Sequence, residues 1–149
     1  MDSPAIRQRL EQFERICHQR GLPITVQRRV ILEAALTLDN HPTADQVLEA
    51  VAKRVTGISR TTVYRTLETL VRLGLITKAC NPGGVTRYDR RTEVHHHLVC
   101  LHCDNVFDID DERFDALAIP DTSDRGFKVY DHRVQLRGIC EQCQKKEEG

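Results

Sequence analysis

The sequence has no tryptophan, one methionine and no excess of either charge, because 22 Lys and Arg balance 22 Asp and Glu over 149 residues. No apolar run approaches the roughly 18–20 residues that a membrane-spanning helix needs. The first twenty residues, MDSPAIRQRLEQFERICHQR, are charged and amphipathic and lack the apolar stretch of a secretory signal. The expectation is a cytoplasmic chain with no membrane partner. In that compartment disulfides are disfavoured, and paired cysteines more often hold metal. Two enzyme signatures are also missing: there is no His-Glu-x-x-His helix, and no Ser/His/Asp or nucleophilic-cysteine arrangement. A metallohydrolase is disfavoured on that ground. Disorder is excluded by a 40% hydrophobic content beside 30% charged residues. Taken whole, a neutral chain gives no sign of nucleic-acid binding.

The total hides a division. Residues 1–90 hold 14 basic and 9 acidic residues, a net of +5, whereas residues 91–149 hold 8 and 13, a net of −5. All histidines except His18 and His41, and all cysteines except Cys17 and Cys80, lie in the second part. Two modules with different partners are expected, with domains at 1–89 and 90–149.

The basic part reads as four helices and a hairpin. Ile6, Leu10, Phe13 and Cys17 recur at helical spacing over residues 5–19, and Gly21 and Pro23 end that helix. Thr25 caps a second helix with Val26, Val30, Ile31, Ala34 and Leu38 on its apolar stripe. Asp39-Asn40-His41-Pro42 is a break. Thr43 and Gln46 form a capping box for a third helix through Val47, Leu48 and Val51. Ser59 caps the fourth, with Val63, Leu67, Leu70 and Val71 inside and Gly74 at its end. Leu75–Lys78 and Val85–Tyr88, around a turn at residues 81–84, read as two strands. This is the order of a winged helix-turn-helix. The outer face of the last helix shows Arg60, Thr61, Thr62, Tyr64 and Arg65, residue types that bond guanine, thymine methyls and phosphate. Arg87 on the hairpin is placed to touch a neighbouring phosphate. The competing reading is an ordinary solvated helix in a small helical domain.

The acidic part carries the strongest signal. Cys100-x-x-Cys103 and Cys140-x-x-Cys143 make a four-thiolate set, the closed tetrahedral geometry of structural Zn2+. The ion would staple the start of a small second domain to its end. Cys17, on an apolar helical face, and Cys80, in the hairpin, are bystanders. A second cluster comprises Asp89, His95, His96, His97 and Asp108. In a strand, residues two apart share a face, so His95 and His97 point together and His96 points away. Imidazoles with carboxylates suit Fe2+, Mn2+ or Zn2+.

With these motifs in hand, the chain resembles the ferric uptake regulator family of metal-dependent repressors over roughly Arg9 to Cys143. The resemblance rests on His41-Pro-Thr-Ala-Asp45, Thr61-Thr-Val-Tyr-Arg65-Thr-Leu, Gly74-Leu-Ile, Arg87-Tyr-Asp89, His95-His-His97-Leu-Val-Cys100-x-x-Cys103 and Cys140-x-x-Cys143. It implies an α+β protein: a winged helix followed by a small α/β dimerisation domain with structural zinc. It also implies a homodimer that binds double-stranded operator DNA.

By the same resemblance Cys100, Cys103, Cys140 and Cys143 hold zinc. His41, Asp89, His95, His97 and Asp108 hold the regulatory ion, Fe2+ or Mn2+, with Zn2+ as an alternative. The residues alone make His41 a turn histidine before Pro42; the resemblance makes it a ligand. Aspartate at both 89 and 108 is similar to the peroxide-sensing members, in which a ligand histidine is oxidised, and His41 and His95 become the oxidation candidates. Iron-responsive and zinc-responsive members of the family are the alternatives. His96 and His132, with Asp115, resemble positions of an additional metal site. A zinc module without DNA contact is the reading from another class.

Overall fold

The computed structural model describes residues 3–39, 41–79 and 84–148. Asn40, Cys80 and Asn81, Pro82 and Gly83 of the expected turn lie outside them. The chain divides into two units, Met1–Thr92 and Glu93–Gly149.

The first unit contains α1 (Pro4–Arg20), α2 (Val26–Thr37), α3 (Ala44–Ala52), α4 (Arg60–Arg72), β1 (Thr77–Ala79) and β2 (Arg87–Asp89). The helix starts follow the caps. The Thr25 hydroxyl accepts from the Arg28 amide, and that of Ser59 from the Thr62 amide. At α3 the box is reciprocal: Thr43 Oγ1 accepts from Gln46 N at 3.2 Å and Gln46 Oε1 accepts from Thr43 N at 3.0 Å. Each such cap satisfies amides that the first helical turn leaves without partners. Gly74 ends the α4 segment at φ 75°, a conformation that favours glycine. β1 and β2 pair antiparallel, with Lys78 opposite Tyr88. Helices followed by this hairpin form a winged helix-turn-helix.

One core joins the helices: Phe13 and Cys17 from α1, Ile31 and Leu32 from α2, Val47 and Val51 from α3, and Val63, Leu67 and Leu70 from α4, closed by Leu75 and Ile76. The apolar stripe of α2 differs from expectation. Val26 is 72% exposed, while Leu32, Ala35 and Leu36 are buried. α2 packs against α1, α3 and α4, so its buried face is wider than a single stripe and begins after the first turn.

The second unit is a three-stranded sheet in the order β4-β3-β5, from β3 (His96–Cys100), β4 (Val106–Ile109) and β5 (Gln135–Gly138). β3 is antiparallel to β4 and parallel to β5. The single turn α5 (Glu112–Asp115) and a 3-10 turn at Ser123–Arg125 lie between β4 and β5, and α6 (Glu141–Glu148) follows. Among its described residues the buried hydrophobics are few: Val99, Cys100, Val106 and Cys143. Two of these four are cysteines of the zinc motif. Among the described residues no helix is long and apolar enough to cross a membrane.

Candidate metal centres

The two cysteine pairs meet in the second unit. Cys100 ends β3 and Cys103 lies in the turn beyond it. Asp104 takes φ 60° there, and its amide donates to the Cys100 carbonyl at 3.0 Å. Aspartate tolerates this left-handed conformation better than most residues. Cys140 precedes α6 and Cys143 lies on its buried side. The four Sγ atoms lie within 4.8 Å of one another, with Cys103 and Cys140 3.8 Å apart. A tetrahedron with metal–sulfur bonds of about 2.3 Å puts its sulfurs about 3.8 Å apart, so the set fits Zn2+. Electrostatics divide the thiols. Burial pushes Cys100 up, but amide donors from Cys103, Cys140 and His102 outweigh it and hold the thiol at about 6. Burial and the three neighbouring sulfurs push Cys143 up to about 12. The Cys100 thiolate is ready to receive a cation, and the bound cation would displace the protons that Cys103 and Cys143 hold.

A histidine–carboxylate pair lies in the first unit. His41 Nε2 and Asp89 Oδ2 are 3.0 Å apart, with Asp89 buried and His41 nearly so. Residues 41–43 and 87–89 are stitched together: Tyr88 N donates to the Pro42 carbonyl at 2.9 Å, and Thr43 bridges Arg87. Asp89 Oδ1 accepts from the Arg91 amide at 2.9 Å, which fixes the carboxylate. His41 has φ 55° and precedes a proline. A β-carbon residue held there costs about 1–3 kcal/mol, a cost that clusters at functional positions.

The matching set in the second unit is His95, His97 and Asp108. His97 and Asp108 are register partners on β3 and β4. Asp108 Oδ1 is 3.2 Å from His95 Nε2 and 3.4 Å from His97 Nε2, and the two rings meet edge to face at 4.5 Å. The Glu93 carbonyl, 2.8 Å from His95 Nδ1, can only accept, so that nitrogen carries the proton. In the neutral ring Nε2 is then the nitrogen left to take a cation, and it faces Asp108. An imidazole nitrogen beside a carboxylate oxygen, with the other ring nitrogen held by a carbonyl, is a donor set for a cation.

His96 faces away and is 1% exposed. Its Nδ1 accepts from Val134 N at 2.9 Å, so Nε2 carries the proton and donates to Asp115 Oδ1 at 2.7 Å. The His132 ring lies 5.9 Å from that of His96, and its Nε2 donates to the Phe114 carbonyl. His96, Asp115 and His132 are thus near one another, with both histidines committed to hydrogen bonds.

Of the expected DNA-facing residues, Arg60, Thr61, Tyr64 and Arg65 are exposed and Thr62 is half-buried. Arg60 Nη1 lies 3.2 Å from Asp45. Arg87 is a correction. It is 6% exposed, and its Nη1 donates to the His41 carbonyl at 3.1 Å. There it supports His41, because β2 is buried along its whole length. The carbonyl of Glu93 and the amide of Arg91 escaped the sequence reading, since main-chain partners leave no residue signal.

The family model described as the ferric uptake regulator family matches residues 19–137. The chain is 35% identical over 147 aligned residues to the ferric uptake regulation protein of Bacillus subtilis (strain 168), covering 93% of this chain and 97% of that one. It is 33% identical over 127 residues to the peroxide operon regulator of the same organism, covering 85% and 88%. The solved structure of the Helicobacter pylori ferric uptake regulator matches with a TM-score of 0.78 at 21% identity, covering 93% of each chain, a likeness of fold.

Proposed function

Because the chain belongs to the ferric uptake regulator family, we propose that it is a DNA-binding, metal-dependent repressor of transcription whose signal is hydrogen peroxide. In this reading Zn2+ sits on Cys100, Cys103, Cys140 and Cys143, and keeps the second unit folded. His41 and Asp89, with His95, His97 and Asp108, share one regulatory ion. Their nitrogen and oxygen donors suit Fe2+ or Mn2+. Ligands drawn from both units make the ion's affinity depend on how the units are arranged, and the ion biases that two-state equilibrium. In a homodimer the arrangement sets the distance between two α4 helices, and hence their match to half-sites on operator DNA. Arg60, Thr61, Thr62, Tyr64 and Arg65 face the duplex.

What supports the peroxide reading is the composition of the proposed donor set, aspartate at both 89 and 108 with three histidines. Fe2+ held by these residues would supply the redox chemistry that activates peroxide. In the net change the two electrons would come from the ring: an imidazole C–H becomes C–O with one peroxide oxygen, and the other oxygen leaves as water. His41 and His95 are the rings assigned to this change. An oxidised ring is a poorer base and ligand, so the bias toward the DNA-binding arrangement is lost. The thiols of the zinc set, closed around their ion, are shielded from this chemistry.

The likeness to the ferric uptake regulation protein favours a second reading, repression governed by iron concentration without oxidation. One experiment separates them. The zinc-containing chain is loaded with Fe2+ without air, treated with hydrogen peroxide and mapped by peptide mass spectrometry. A one-oxygen gain on the His41 or His95 peptide supports peroxide sensing. Unmodified histidines, with DNA binding still governed by iron, support the iron-responsive reading.

A further inference from the structure

The first unit holds a second feature, set one turn along the recognition helix from the residues that face DNA. Glu68 lies three residues beyond Arg65 and four beyond Tyr64, hence on their side of α4. An unpartnered carboxylate there would repel phosphate. It is not unpartnered. Lys78 Nζ lies 2.6 Å from Glu68 Oε2, and the Tyr88 hydroxyl donates to Glu68 Oε1 at 3.1 Å. Lys78 and Tyr88 are register partners on β1 and β2. One carboxylate therefore fastens both strands of the hairpin to the recognition helix.

Tyr88 is also chained to the metal ligands. It immediately precedes Asp89, and its amide donates to the Pro42 carbonyl beside His41. Side chains alternate along a strand, so Asp89 turns to His41 while Tyr88 turns to α4. Any shift of Asp89 and His41 around an ion moves the backbone that carries the Tyr88 ring.

We propose that Glu68 and Tyr88 are positioning residues that transmit occupancy of the His41–Asp89 pair to the recognition helix. Neither touches the ion nor DNA in this scheme. Their hydroxyl–carboxylate bond makes α4 and the hairpin move as one piece with the ligands. Without it the hairpin could follow the metal while α4 stays behind. The proposal rests on the regulatory-ion reading above, and its test keeps the two separable.

The test is hydrogen exchange on the zinc-loaded full chain, with and without Mn2+, at matched Mn2+ occupancy read by electron paramagnetic resonance. In the unaltered chain Mn2+ slows exchange at 87–89 and also at Leu67–Leu70, by roughly fivefold or more, the lower end of ordinary coupling. In Tyr88→Phe, which deletes one hydroxyl and leaves the Lys78–Glu68 pair, the slowing at 87–89 persists and the metal-induced increment in α4 falls severalfold. Glu68→Gln, which keeps an acceptor but loses the charge facing Lys78, gives an intermediate increment. A purely structural role would raise exchange in both states and leave the increment intact. An increment in α4 unchanged in Tyr88→Phe overturns the proposal. No Mn2+ effect at 87–89 in the unaltered chain overturns instead the regulatory-ion reading.

Discussion

His95 and His96 are neighbours in the chain and hold opposite tautomers. The Glu93 carbonyl takes the Nδ1 proton of His95, whereas the Val134 amide donates to Nδ1 of His96. In the neutral ring the nitrogen of His95 left for a cation is thus Nε2, facing Asp108, and that of His96 is already used. For His96 to bind a cation through Nε2, its proton would have to leave and the Val134 bond would have to break.

The first prediction follows from that contrast. Elemental analysis after equilibrium dialysis against Zn2+ and Mn2+ should find two ions per chain, one in each assigned set. His95→Ala should lose the second ion. His96→Gln should keep both while lowering stability, since it disturbs the hydrogen bonds of a buried side chain. A third equivalent that disappears in His96→Gln would show that His96 rearranges to bind, as the family resemblance implied.

Zinc removal should act on one unit only. Among the described residues the second unit buries four hydrophobics, two of them zinc-motif cysteines, whereas the first has a continuous core across four helices. Structural zinc supplies an apparent 10–16 kcal/mol, roughly, in small domains, more than such a thin core provides. A strong chelator, or Cys143→Ser, should therefore abolish amide protection in β3, β4 and β5 and leave α1 to α4 protected. Simultaneous loss of both units would contradict this division.

The contrast between Leu67 and Val26 gives a stability prediction. Leu67 is fully buried among four helices, so Leu67→Ala should cost about 2–5 kcal/mol in urea unfolding of the first unit. Val26 is exposed, and Val26→Ala should fall within about 0.5 kcal/mol of the unaltered chain.

These residues also mark what was legible in the sequence. Caps at Thr25, Thr43 and Ser59 are local chemistry, so the helix starts were readable from a few side chains. The cysteine pairs were readable because a two-residue gap is itself the knuckle geometry. Val26 and Arg87 were misplaced for one reason: each sits at helical or strand spacing, but its burial depends on elements far away in sequence. The tautomers of His95 and His96 were not legible at all, since they are set by a carbonyl and an amide that every residue possesses. Glu68 was unremarkable among helix residues until the hairpin folded against it.

The Glu68 contacts carry a pH dependence with a defined sign. Lys78 lowers the Glu68 carboxyl below its ordinary value. Burial opposes this, and Tyr88 and Arg72 assist it. A group depressed in the folded state stabilises fully above its unfolded value, near 4.5, and loses that contribution as pH falls through the folded value. The difference in α4 amide protection between the unaltered chain and Glu68→Gln should be constant near neutrality and shrink below about pH 4.5. Amides of Val63–Leu70 report the first unit alone, so protonation of the zinc thiolates does not confuse the comparison. A difference that grew on acidification would have the wrong sign.

Two arginines, both once expected at phosphate, should now behave differently. Arg65 is exposed on α4, and Arg65→Ala should weaken operator binding and reduce the salt slope by about one per protomer. Arg87 is buried and donates to the carbonyl of His41. Arg87→Met keeps most of the volume and removes that donor. Loss of such a supporting contact behind a ligand costs roughly 10–100-fold in metal affinity. Operator binding at saturating Mn2+ should then retain the unaltered salt slope, because no phosphate contact has been removed. Titrating each variant with DNA over a range of salt, at low and at saturating Mn2+, separates the two. A reduced slope in Arg87→Met at saturating metal would return Arg87 to the DNA face.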